Sequence, residues 1–214
     1  TLEIKEKLKQ YNIYGGFPEP LLKSINHKEY LSILFDSILF KDIVRRYNIR
    51  SANTIEKLST QLLANIAKEY SYNSLSKTLN ISKNTVEKYI NYLEESFIFF
   101  SLKRFSYKVK EQNSIKKIYC IDNGFIHAKA FSFSQNKGRL YENIIAIKLK
   151  KKELEEKIEF YYWKNKQNEE VDFVIKQGLK IKELIQVCYE ITEETKNREI
   201  RSLLKSSKEL KCNE

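Results

Sequence analysis

The sequence predicts an α+β protein in two parts: a helical, winged-helix domain over residues 1–121, then an α-β-β-β-α domain over residues 122–214. Three observations carry this expectation. Apolar residues recur at helical spacing between Leu31 and Leu93. A turn at Asn80-Ile81 separates two of those helices, and two β-rich runs around a basic loop follow them. Beyond residue 122, three short aromatic and β-branched runs lie between two amphipathic segments.

Taken in order, YGGFPEPLL (14–22) reads as a loop, because two glycines free the backbone and Pro18 and Pro20 oppose a helix interior. The stretch 30–49 places Leu31, Leu34, Phe35, Ile38, Leu39 and Ile43 on one helical face. Residues 53–70 repeat the pattern with Ile55, Leu58, Leu62 and Ile66, capped by Asn53 or Thr54. A short helix around Leu75 and Leu79 then turns at Asn80-Ile81 into a second helix with Ser82 as its N-cap. Val86, Ile90 and Leu93, at i, i+4 and i+7, face inward in that second helix.

This leaves Lys83, Asn84, Thr85, Lys88, Asn91 and Tyr92 facing out, the arrangement in which a recognition helix enters the major groove. Lys83, Asn84, Lys88 and Asn91 are the expected readers of DNA. The following strands flank a loop like the wing of a winged helix, where Lys103, Arg104, Lys108 and Lys110 are expected to meet phosphates. Glu87, Glu94 and Glu95 dilute the charge of the recognition helix, and winged helices also serve as protein-docking modules.

In the second part, IDNGF (121–125) is expected to turn, with Gly124 at positive φ. A helix over 136–152 turns Leu140, Ile144, Ile145 and Leu149 inward. Strands are expected at 158–164, 171–175 and 183–191. The closing helix, 192–210, starts on Thr192, Glu193 and Glu194 and carries Ile200, Leu203 and Leu204 as its apolar set.

Composition narrows the function. Net charge is +11, and residues 101–120 hold six basic side chains, Lys117 among them, against Glu111 alone. Such a local basic segment points to a polyanion more than the overall charge does. No apolar run reaches the roughly 20 residues that span a membrane. Three separated cysteines suit reduced thiols in a cytoplasm, and two histidines exclude a histidine-rich metal site. The chain starts at Thr1, holds no methionine and stops soon after a helical pattern. It therefore reads as a piece of a longer protein, with the second domain cut at its C-terminus.

YGGFPEPLL, NTVEKYINYLEESFIFF, KKIYCIDNG, NKGRLYENIIAIKL, EEVDFVI and ELIQVCYEI…REIRSLL together resemble the C-terminal region of a family of archaeal and bacterial ATP-binding proteins. In that family an AAA-type P-loop ATPase module precedes a C-terminal domain of unknown function. The resemblance implies a winged-helix segment followed by a restriction-endonuclease-like, PD-(D/E)xK fold. No GxxxxGK[ST] phosphate loop occurs here, so ATP belongs to the parent protein and the ATPase module is the implied partner.

A PD-(D/E)xK nuclease holds Mg²⁺ with carboxylates and keeps a lysine beside the last of them. The resemblance puts Glu142 at the helix position, Asp172 at the first strand position, Gln186 at the second acid and Cys188 at the lysine. Glu142 and Asp172 are the implied Mg²⁺ ligands. Gln186 offers only a neutral carbonyl, and a thiol in a buried strand cannot replace an ammonium. Glu170 or Glu183 could substitute for the acid and Lys164 or Lys182 for the cation, although Lys182 lies about 13 Å from Gln186 along an extended strand. Without a metal, Asp172 is expected to cap a bulge or to pair with Arg139 or Arg198, since a buried charge needs a cationic or hydrogen-bonding partner. The expectation is thus a DNA-binding, regulatory C-terminal region of an ATPase with a degenerate nuclease-like domain. The alternatives are a Mg²⁺-dependent endonuclease with substituted residues and a protein-docking module. A homo-oligomer is compatible with each.

Overall fold

The computed structural model describes residues 2–108, 112, 115–130 and 137–212. It forms two compact units: Thr1–Ser101 with Ile118–Asn136, and Leu102–Lys117 with Lys137–Glu214. Among the described residues no helix is long and apolar enough to cross a membrane.

The first unit opens with helix α1 (Leu2–Tyr14), which the charged N-terminal sequence did not announce. Pro18–Leu22 is a short helix, α2, rather than the expected loop. Both prolines lie in its first turn, where a missing N–H costs nothing and the fixed φ favours the helix. In α3 (His27–Ser37) and the π-helix that continues it (Ile38–Val44), Leu31, Phe35, Leu39 and Ile43 are all buried. A turn of about 3.6 residues would carry this strict four-residue stripe steadily around the axis. The wider turn, with Arg45 N–H on the Phe40 carbonyl, reverses that drift and returns Leu39 and Ile43 to the core. Leu34 and Ile38 are only half-buried.

Helix α4 (Ala52–Ala64) buries Ile55, Leu58 and Leu62 as its periodicity predicts, but its N-cap is Ser51 rather than Asn53 or Thr54. The two-residue strand β1 (Glu69–Tyr70) precedes α5 (Tyr72–Leu79) and α6 (Lys83–Glu95). Strands β2 (Phe99–Lys103) and β3 (Lys116–Cys120) complete a three-stranded sheet of order β1-β3-β2.

Helix α7 (Asn123–Lys129) occupies the stretch expected to turn. Its cap, Asp122, accepts from Gly124 N–H through Oδ1 and from Gly16 N–H through Oδ2, both at 2.7 Å. Gly124 has no positive φ; it is needed because a Cβ there would lie 2.8 Å from the Tyr14 backbone carbonyl oxygen. Gly15 does take a positive φ, +76°, and its Cβ would meet Asp122 Oδ1 at 1.8 Å. Burial raises the Asp122 carboxyl above its ordinary range, against the two N–H bonds.

In the second unit, α8 (Lys137–Leu154) is followed by β4 (Glu159–Lys164), β5 (Glu170–Gln177), β6 (Lys180–Ile185) and α9 (Glu193–Leu210). The strands form an antiparallel meander, β4-β5-β6. Trp163, Val171, Val174 and Leu210 form one core cluster, each such side chain stabilising the fold by about 1.5–3 kcal/mol. Val171 and Val174 share that cluster although strict alternation would separate residues three apart. The register explains it: Tyr161 pairs with Val174 and Trp163 with Val171, so Asp172 and Phe173 together oppose Tyr162 in a bulge.

Three expectations change here. The third strand ends at Ile185, so Gln186 and Cys188 lie beyond it and Cys188 is exposed, not in a buried strand. Helix α8 buries Leu140, Glu142, Asn143, Ala146 and Leu149, while Ile144 and Ile145 are half-buried. Helix α9 starts on Thr192 in a capping box with Thr195, but it buries Ser202, Ser206 and Leu210 and leaves Ile200 and Leu204 exposed. The three cysteines form no disulfide.

Candidate functional site

The first unit presents α5 and α6 as a helix–turn–helix pair. Asn80 closes α5 in the left-handed conformation (φ 52°, ψ 47°), which asparagine tolerates better than most residues. Ser82 then accepts from Thr85 N–H and starts α6. With Val86, Ile90 and Leu93 fully buried, Lys83, Asn84, Lys88 and Asn91 are left exposed. Tyr92 is half-buried and stacks on Tyr47, ring centroids 3.7 Å apart.

The basic segment divides. Lys103 and Lys108 are exposed. Arg104 is half-buried and turns its guanidinium onto the Lys164 carbonyl, beside a bridge between Arg104 and Tyr162, so it is tied into the second unit. Lys110 lies outside the described residues. Lys117, counted in the same basic segment, is buried instead: its side chain is 2% exposed.

Lys117 Nζ is the centre of a carboxylate cluster. It lies 2.8 Å from Glu142 Oε1 on α8, 2.6 Å from Glu170 Oε1 and 3.5 Å from Asp172 Oδ1, both on β5. The Tyr162 ring faces it, 5.6 Å from ring centroid to Nζ. Burial, the largest influence on Lys117, favours the neutral amine, but Glu142, Asp172 and Glu170 outweigh it and hold Lys117 above the usual lysine range. Asp172 moves up to about 7, driven first by burial and then by Glu142, against Lys117 and the Val187 N–H. Lys164 flanks the cluster, 3.4 Å from Glu170 Oε2.

The bulge aims Asp172 at this cluster, and the segment after β6 fastens it there. Asp172 Oδ2 accepts from Val187 N–H at 2.9 Å, while the Asp172 N–H donates to Gln186 Oε1 at 3.2 Å. Gln186 therefore completes a backbone pairing by its side chain where the strand ladder has stopped. Glu142 and Asp172 come together with Glu170 around Lys117, while Gln186 meets the Asp172 backbone. Lys182 donates instead to Gln177, and the cation that Asp172 meets is Lys117.

This donor set does not fit Mg²⁺ as it stands. One oxygen each of Glu142, Glu170 and Asp172 is directed at the Lys117 ammonium, Asp172 Oδ2 is taken by the Val187 N–H, and the Gln186 carbonyl is engaged by an amide. Among the described residues no group of three or more His, Cys, Asp or Glu side chains is arranged to hold a metal ion. The sequence signal for Lys117 was slight: it is the second of two lysines in KKIYC, directly before Ile118, Tyr119 and Cys120, which are all buried.

Two family models cover the chain: a domain of unknown function, DUF8612, matches residues 5–136, and a second, DUF4143, matches residues 137–214. The chain belongs to the DUF8612 family. An uncharacterized protein of Methanocaldococcus jannaschii is 38% identical over 99% of this chain and 49% of its own length. An uncharacterized protein of Haemophilus influenzae is 27% identical over 87% of this chain and 47% of its own length. The chain thus spans about half the length of the curated relatives it matches. No solved structure matches it. DUF4143 domains are typically found with AAA ATPases.

Proposed function

We propose that this chain is the DNA-binding, regulatory C-terminal region of an AAA-type ATPase, acting in the cytoplasm beside an ATPase module that supplies the ATP chemistry. The observation that carries the reading is α6: a capped helix after a left-handed turn, with Lys83, Asn84, Lys88 and Asn91 exposed together. Lys103 and Lys108 add phosphate-directed charge. The second unit is, on this reading, a nuclease-like frame whose acids serve structure, because Glu142, Glu170 and Asp172 are gathered around the buried Lys117 ammonium.

Binding to duplex DNA, measured between about 50 and 200 mM salt, tests it. The double variant Lys83→Ala/Lys88→Ala should bind more weakly and lower the slope of log affinity on log salt by about 2. Unchanged affinity overturns the reading. Incubation of the wild-type chain with duplex DNA and Mg²⁺ or Mn²⁺ should leave the DNA intact; cleavage that Asp172→Ala abolishes would establish the endonuclease instead.

A further inference from the structure

The second unit carries a surface groove of about 1010 Å³ lined by both aromatic and cationic side chains. Phe105, Tyr107 and Tyr161 are its aromatic lining. Phe105 meets Tyr107 edge-on at 5.4 Å and Tyr161 edge-on at 5.6 Å, so the three rings make a connected ladder. Tyr107, at its outer end, is 79% exposed. Lys176, Lys180, Lys182 and Lys211 line the same groove, and no acidic residue is among its described lining. Lys176 is neutralised by Glu159 at 3.0 Å. Lys180, Lys182 and Lys211 have no ion-pair partner among the described residues, and Lys182 donates to the neutral Gln177 amide. Leu179, at the tip of the β5–β6 turn, also lines the groove and is 99% exposed. A leucine in that state contributes no burial to folding.

We propose that this groove binds single-stranded nucleic acid. Sequence-tolerant single-strand sites combine a cationic track for the phosphates with exposed rings on which bases stack, and both halves are present here on one surface. Tyr107 and Leu179 offer apolar faces to unpaired bases, while Lys180, Lys182 and Lys211 face the backbone. A duplex keeps its base faces stacked inside and cannot use the rings. An acidic peptide could use the lysines but would leave Tyr107 and Leu179 uncovered. The site is separate from α6 and does not depend on that helix reading DNA.

Fluorescence anisotropy with a short labelled oligo-dT tests the assignment. All the residues to be changed are at the surface, and an unaltered circular dichroism melt confirms that each variant folds. Lys180→Glu/Lys182→Glu/Lys211→Glu should weaken single-strand binding at least about tenfold. Tyr107→Ala should weaken it about tenfold, the loss of one stacked base. Neither should alter duplex binding, whereas Lys83→Ala/Lys88→Ala should alter only the duplex, so the two readings fail separately. The proposal is overturned if Tyr107→Ala binds oligo-dT like wild type, or if polyglutamate competes as well as unlabelled oligo-dT. Either result assigns the groove to polyanions in general.

Discussion

Replacing Lys117 by methionine keeps the reach of the side chain and deletes its charge. Three carboxylates would then face one another across the space where Nζ now lies, 2.8 Å from Glu142, 2.6 Å from Glu170 and 3.5 Å from Asp172. Removing one partner from a buried ion pair costs about 3–5 kcal/mol, mostly as the penalty on the charges left behind. Proton uptake by Asp172 relieves part of this. Its folded pKa of about 7 already exceeds its ordinary 3.8, so the folded protein binds more protons and this group lowers stability as pH rises through that window. Without Lys117 the folded pKa rises further and the window extends upward. The loss in Lys117→Met should therefore be smallest near pH 5.5 and approach about 3–5 kcal/mol near pH 8. Trp163, the one tryptophan, is buried in this unit and reports its urea unfolding by fluorescence. A loss below about 1 kcal/mol near pH 8, or an equal loss at both pH values, would refute the reasoning.

Gly15→Ala should destabilise the first unit by about 3 kcal/mol, since its Cβ would collide with Asp122 and its φ is +76°; a circular dichroism melt measures this. Asp122→Ala strips the acceptor from two amides, Gly16 and Gly124, and should cost about 2–4 kcal/mol in the same assay. At the turn before α6, Asn80→Gly should be close to neutral while Asn80→Val costs about 1–2 kcal/mol, because only the left-handed angle separates them. Thr192→Ala removes the capping box of α9 and should cost about 1 kcal/mol by urea denaturation.

The α5–turn–α6 pair is legible in the residues alone. Its cap at Ser82, its turn at Asn80 and its inward triplet Val86, Ile90 and Leu93 all depend on residues within one or two turns of each other. The same holds for Thr192 at the head of α9 and for the order helix, three strands, helix. The end of β6 is not legible in that way. The apolar pattern runs on through Val187, but Gln186 and the Asp172 carboxylate take over the pairing there. A bulge at Asp172 is one alternative that a buried acid suggests, but a period-two pattern carries no mark that places it.

By itself the sequence determined part of the local vocabulary of this protein: helices α3 to α6, α8 and α9 and the strands of the second unit, but not α1, α2 or α7. Only the tertiary structure decided what Glu142 and Asp172 face. Lys117 meets Glu142 across 25 residues of sequence and Asp172 across 55, and a lysine inside a basic run looks the same on paper whether it is solvated or buried. The physical reason is that local preference acts through the nearest turns of the chain. Burying a charge is decided by whether distant partners arrive to neutralise it.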